Sequence, residues 1–179
     1  MIAVYWFFRS ASPIVMDRWF RSLQIFSASL LSGAHGTNDA QKSMGIITAV
    51  LVAAGLETSF RVPRWVIISC AAAMGFGTLS GGWRVVHTMG TRLTRLKPRS
   101  GFCAESGAAL SILFATWLAL PVSTTHVVMG AIAGVGSVQR VRAVRWNVAT
   151  DIVFAWILTI PASALTSAAV MFFIRQFES

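Results

Sequence analysis

Residues 33–45 read GAHGTNDAQKSMG, and on either side the chain is apolar, with QIFSASLLS at 24–32 and IITAVLVAAGL at 46–56. A carboxylate (Asp39), two amides (Asn38 and Gln41), a hydroxyl (Thr37) and an ammonium (Lys42) thus sit in the middle of one long apolar segment, 21–56. A charge at membrane depth costs a few kcal/mol on insertion scales, so it needs a partner and marks function. Gly33 and Gly36 flank Ala34 and His35 and permit an unwound backbone there. Irregular polar backbone at that depth is tolerated only where protein or a watery cavity surrounds it. The stretch therefore predicts one interrupted helical crossing over 21–56, with a second half-helix starting near Asn38. The free N–H groups and positive dipole end of that half-helix would attract an anion, and Asp39 would bind or exchange a cation. The plainer alternative is that Asn38 and Asp39 cap the half-helix, with Lys42 as the ion-pair partner of Asp39.

The rest of the chain agrees with a lipid solvent. Of 179 residues, 55% are hydrophobic and 12% charged, and the mean hydropathy is +0.68, a balance that a soluble domain of this size could not hide. Further helical segments are expected at 65–83, 102–120, 122–139 and 148–174, because in lipid every backbone polar group must be paired within its own segment. Residues 1–8 are apolar, yet far short of the roughly 20 that span a hydrocarbon core. They read as the end of a helix rather than a signal peptide, since Arg9 follows without a cleavage site.

The net charge of +9 lies in the linkers. Arg9, Arg18 and Arg21 form one group, Arg84, Arg92, Arg95, Lys97 and Arg99 a second, and Arg140, Arg142 and Arg145 a third. No aromatic-interleaved basic face accompanies them, which excludes nucleic acid, and placing all three on the cytoplasmic side satisfies the positive-inside rule. The segment 102–139 must then leave and return on that side, either as two short spans or as a re-entrant hairpin turning at Pro121-Val122-Ser123-Thr124-Thr125-His126. Three consecutive hydroxyls at a helix start are suitable donors for a dehydrated oxyanion; an N-cap after a proline turn explains them equally well. His126 is expected to support the turn, and His35 is a secondary candidate beside Asp39.

Enzyme chemistry finds no support. Ser123 and His126 share a helix face and no G-x-S-x-G elbow is present, which argues against a hydrolase triad. Neither H-E-x-x-H nor C-x-x-C spacing occurs, so no metal site is expected, and Cys70 and Cys103 read as packing residues. Glu105 lies near a segment edge and is assigned a structural role.

Three blocks in this order, GAHGTNDAQKSMG (33–45), GGWRVVHTMGTRLTRLKP (81–98) and PVSTTHVVMGAIAGVG (121–136), resemble the inorganic phosphate transporter family of the PiT type, in its bacterial low-affinity branch. A weaker block, Val144-Arg145-Trp146 with Thr159-Ile160-Pro161-Ala162, extends the likeness over nearly the whole chain. The resemblance implies an all-α integral protein of the cell (inner) membrane, half of an inverted-repeat transporter with a broken helix and a re-entrant hairpin, residues 1–179 corresponding to the C-terminal repeat. It implies symport of phosphate, free or as a metal-phosphate complex, with H⁺ or Na⁺ and no other cofactor. Thr37, Asn38, Gln41, Ser123, Thr124 and Thr125 would bind phosphate, and Asp39 with Asn38 the coupling cation; Lys42 also matches the family. The family's first repeat is absent from the sequence. The expected partner is therefore an N-terminal repeat or a second copy in a homo-oligomer, the latter awkward because the two repeats have opposite topology. The chain is then expected to be a fragment or split half that needs that repeat, and the competing reading is a membrane subunit or inactive fragment that packs against a partner without transporting.

Overall fold

The computed structural model describes residues 1–9, 12–94 and 96–177, whose regular structure is all helical; Arg95 of the second basic linker lies outside the described residues. Among the described residues six α-helices follow one another: α1 (Ile2–Phe7), α2 (Pro13–Ala53), α3 (Arg64–His87), α4 (Pro98–Trp117), α5 (Thr124–Gln139) and α6 (Trp146–Phe177). A π-helical turn, Thr88–Leu93, ends α3. Two described helices, in Arg64–Arg84 and Trp146–Gln176, are long and apolar enough to cross a membrane. Large apolar side chains on α3 stand open, Phe76 and Leu79 among them, which suits a lipid-facing helix. Residues 1–144 and 145–179 form two compact units, and α6 makes up nearly all of the second.

The interrupted crossing is corrected by the structure. α2 is continuous over 41 residues, about 60 Å long at 1.5 Å per residue. It starts at Pro13, not at residue 21, because proline suits the first turn of a helix, where its missing N–H is not needed. Gly33 and Gly36 lie within it, and the left-handed glycine is instead Gly55, at φ 72°, just past the end of α2. There Gly55 N–H donates to the Val52 carbonyl and Leu56 N–H to the Leu51 carbonyl, the paired bonds that stop a helix at a left-handed residue. Asn38 and Asp39 therefore cap no half-helix within α2, and the free helix end expected near Asn38 is not formed.

The other bounds move by a few residues, and the two segments of 102–139 are α4 and α5. α4 runs parallel to α2, and its rungs are explicit. Arg99 Nε lies 3.4 Å from Asp17 Oδ1, and the Phe102 ring meets Phe20 edge-on at 5.4 Å. Phe20 in turn meets Phe8 at 5.5 Å. Higher up, Ser27 Oγ donates to Glu105 Oε2 at 2.6 Å and Gln24 Nε2 to Glu105 Oε1 at 3.3 Å. Helices this close need a small residue at the crossing. A Cβ on Gly101 would land on the Gln24 carboxamide, as small-residue packing in membrane helices leads one to expect.

At its top α4 ends on Ala119, the non-glycine residue with positive φ (55°) among those described. Ala119 N–H bonds to the Thr116 carbonyl and Leu120 N–H to the Ala115 carbonyl. The chain then turns through Pro121, and α5 returns beside α4 until Gln139 Nε2 donates to Ser100 Oγ. Thr94 Oγ1 donates to the Ala143 carbonyl at 3.2 Å, so the linkers on either side of the hairpin meet at one end of the bundle. Gly136 has room for no side chain at that junction, since Val144 and Thr94 stand over it.

Candidate functional site

The tip of the hairpin docks on the polar stretch of α2. Ser123 caps α5 by accepting from the His126 N–H at 3.4 Å, which leaves Thr124 as the first residue of that helix. Thr124 is 3% exposed, and its hydroxyl donates to Asp39 Oδ2 at 3.1 Å. The other carboxylate oxygen, Oδ1, receives Lys42 Nζ at 3.3 Å and Asn38 Nδ2 at 3.4 Å. Both donors also reach the Val122 carbonyl, Lys42 at 2.8 Å and Asn38 at 3.1 Å. His35 Nδ1, one helical turn before Asp39, lies 3.4 Å from Oδ2. Asn38 is 5% exposed, whereas the side chains of Asp39 and Lys42 are 26% and 43% exposed, so this cluster is buried on its amide side and open on its charged side.

These bonds also explain why α2 does not unwind. Thr37 Oγ1 turns back onto the Gly33 and Ala34 carbonyls, and the remaining polar groups find partners on the hairpin. Side chains satisfy the polarity at no cost to the backbone ladder.

Of the ten residues singled out in the sequence, five converge: His35, Asn38, Asp39, Lys42 and Thr124. Thr37 and Gln41 face away from the tip and line a groove of about 730 Å³ between α2 and α3, together with His35 and Met74. Thr125 and Thr124 line a neighbouring hollow of about 520 Å³ with His35 and Thr78. Ser123 is engaged as a cap, and His126 is exposed on the first turn of α5. Since Met74 lies near the middle of α3, the tip of the hairpin reaches the mid-level of that helix. A hairpin that enters and leaves at one end and turns at mid-level has re-entrant geometry.

The residue undervalued by sequence reasoning is Glu105. It is only half-buried, yet it anchors α4 to α2 through Ser27, 1% exposed. Its partners lie 78 and 81 positions away, beyond the reach of any local pattern.

A model of the phosphate transporter family matches residues 8–167. The chain belongs to the phosphate transporter family. Relatives agree with the assignment: a Rhizobium meliloti (strain 1021) protein described as "Probable low-affinity inorganic phosphate transporter" is 54% identical over 96% of this chain and 52% of its own length. A Bacillus subtilis (strain 168) protein of the same description is 44% identical over 93% of this chain and 50% of its own. A solved structure, "The sodium-dependent phosphate transporter", superposes with a TM-score of 0.79 at 30% identity, over 97% of this chain and 45% of that one. The chain thus spans about half the length of the curated relatives it matches. It is a membrane protein whose fold is that of part of a phosphate transporter.

Proposed function

We propose that the chain supplies the site-bearing C-terminal half of a secondary transporter of the cell membrane, one that carries inorganic phosphate by symport with H⁺ or Na⁺. The observation behind this reading is the junction of Asp39 with the hairpin tip. A carboxylate is a poor neighbour for an anion: at an effective dielectric of about 20, two unit charges about 5 Å apart repel by about 3 kcal/mol. Lys42 offsets that charge while it is paired to Oδ1; when the pair opens, a phosphate site beside Asp39 works only with a cation or proton on the carboxylate, which makes the two bind together. The hydroxyls of Ser123, Thr124 and Thr125 and the amide of Asn38 supply neutral donors around it, while the Gln41 amide lies on the groove side. Thr37 adds a further hydroxyl on the groove side.

The likeness to relatives about twice as long favours an assembly with a complementary N-terminal repeat over action by one half alone, and pseudo-symmetric halves with a site at their junction are common among such carriers. A metal-phosphate complex is an alternative form of the cargo. Radiolabelled phosphate uptake into proteoliposomes, with this chain alone and with an N-terminal repeat, tests the reading. Uptake is expected in the assembled form. Its absence in both, with both chains correctly inserted, would favour a subunit that packs without transporting.

A further inference from the structure

We infer that the Lys42 ammonium occupies the oxygen seat at Asp39 in which a free Na⁺ would otherwise bind, so that this chain excludes Na⁺ from that position. The inference rests on the transport reading above and narrows its coupling ion.

Two oxygens define the seat. Asp39 Oδ1 is a carboxylate oxygen and Val122 O a backbone carbonyl, and these are the ligands that hard cations prefer. Lys42 Nζ lies 3.3 Å from the first and 2.8 Å from the second, bridging α2 to the hairpin tip as a bound metal ion would. An ammonium has three donors and a unit charge, so it neutralises Asp39 as one Na⁺ would and competes for the same lone pairs. It is tethered three residues from Asp39 on the same helix, so it meets no translational cost of binding. A Na⁺ entering beside it would face a like charge at contact distance. The second carboxylate oxygen offers no vacant seat either: Thr124 donates to it and His35 Nδ1 lies against it. The two oxygens belong to different elements, so exchange of the ammonium for another cation would loosen the tip from α2. Lys42 is in this sense a specificity-determining residue.

The test measures Na⁺ in two independent ways. In the detergent-purified chain, the melting temperature of the unmutated protein is expected to be the same in NaCl and choline chloride. Lys42→Asn, which removes the ammonium and supplies a neutral oxygen, is expected to gain a Na⁺-dependent rise, with apparent Na⁺ affinity on the order of tenfold or more above that of the parent once partial exposure is allowed for. Lys42→Arg keeps the charge and is expected to stay indifferent to Na⁺. In proteoliposomes of the assembled transporter, phosphate uptake at fixed pH is expected to be unaffected by replacing Na⁺ with choline. Na⁺ stabilisation or Na⁺-driven uptake in the unmutated protein overturns the inference, as does a Lys42→Asn protein that folds and gains no Na⁺ response. Should Lys42→Asn not fold, the unmutated protein and Lys42→Arg still decide. Loss of phosphate uptake under every ion gradient would instead count against the transport reading, while the melting comparison would still report on Lys42.

Discussion

Thr124→Val isolates the bond that joins the hairpin tip to α2. The side chain is 3% exposed, and valine copies its shape, so no cavity opens and the loss is that of a hydroxyl donating to a carboxylate at 3.1 Å. Hydrogen bonds to charged groups contribute about 1.5–3 kcal/mol. Asp39 keeps Lys42 and Asn38 and is 26% exposed, which places the expected cost near the lower end, about 1.5 kcal/mol. Thermal unfolding of the purified chain, followed by near-UV circular dichroism, measures it. Asp39→Asn and the double variant complete a cycle whose coupling should be about 1 kcal/mol, within the range found for groups in contact. Strict additivity of the two substitutions would refute the bond as an energetic link, however short it is.

Further outcomes follow from other contacts. Ala119→Gly relieves a left-handed alanine at the end of α4 and should raise stability by about 1 kcal/mol, measured by the same melting curves. Ser27→Ala leaves Glu105 with only the 3.3 Å bond from Gln24 and should lower stability by about 1.5–3 kcal/mol, an effect that should vanish in a Glu105→Ala background. Single cysteines at Lys97 and Arg142, in a background without Cys70 and Cys103, should both react with an impermeant maleimide from the same side of the membrane, because Thr94 and Ala143 meet. Labelling from opposite sides would break the hairpin topology.

Much of this arrangement was legible from local chemistry. Proline followed by three hydroxyls encodes the turn and the Ser123 cap, and the basic linkers encode a hairpin that returns to its starting end. The course of α2 was not legible. Gly33, Gly36 and five polar residues make the same pattern whether a helix unwinds or presents those groups to a neighbour, and only the position of Val122 and Thr124 decides. The start of α2 was obscured by Asp17, Arg18 and Arg21, which read as a linker although Ser12-Pro13 is a helix start. Glu105 was hidden for a related reason: its edge position suggested exposure, and its role depends on α2 lying parallel to α4. Sequence thus named residues that meet at Asp39 and misjudged the backbone that carries them.

The central claim is that Asp39 acts through its charge. Asp39→Asn is nearly isosteric, and its one amide oxygen can still accept from Lys42, so insertion and folding should survive at the cost of the Thr124 bond; neutralisation also lowers the cost of placing the side chain in the membrane. The decisive measurement is phosphate accumulation against its gradient by the assembled transporter, scaled to the amount of inserted protein. The account predicts that Asp39→Asn inserts at the normal level and accumulates no phosphate above equilibrium. Uphill uptake at the unmutated rate, with the same dependence on the driving ion, would contradict it.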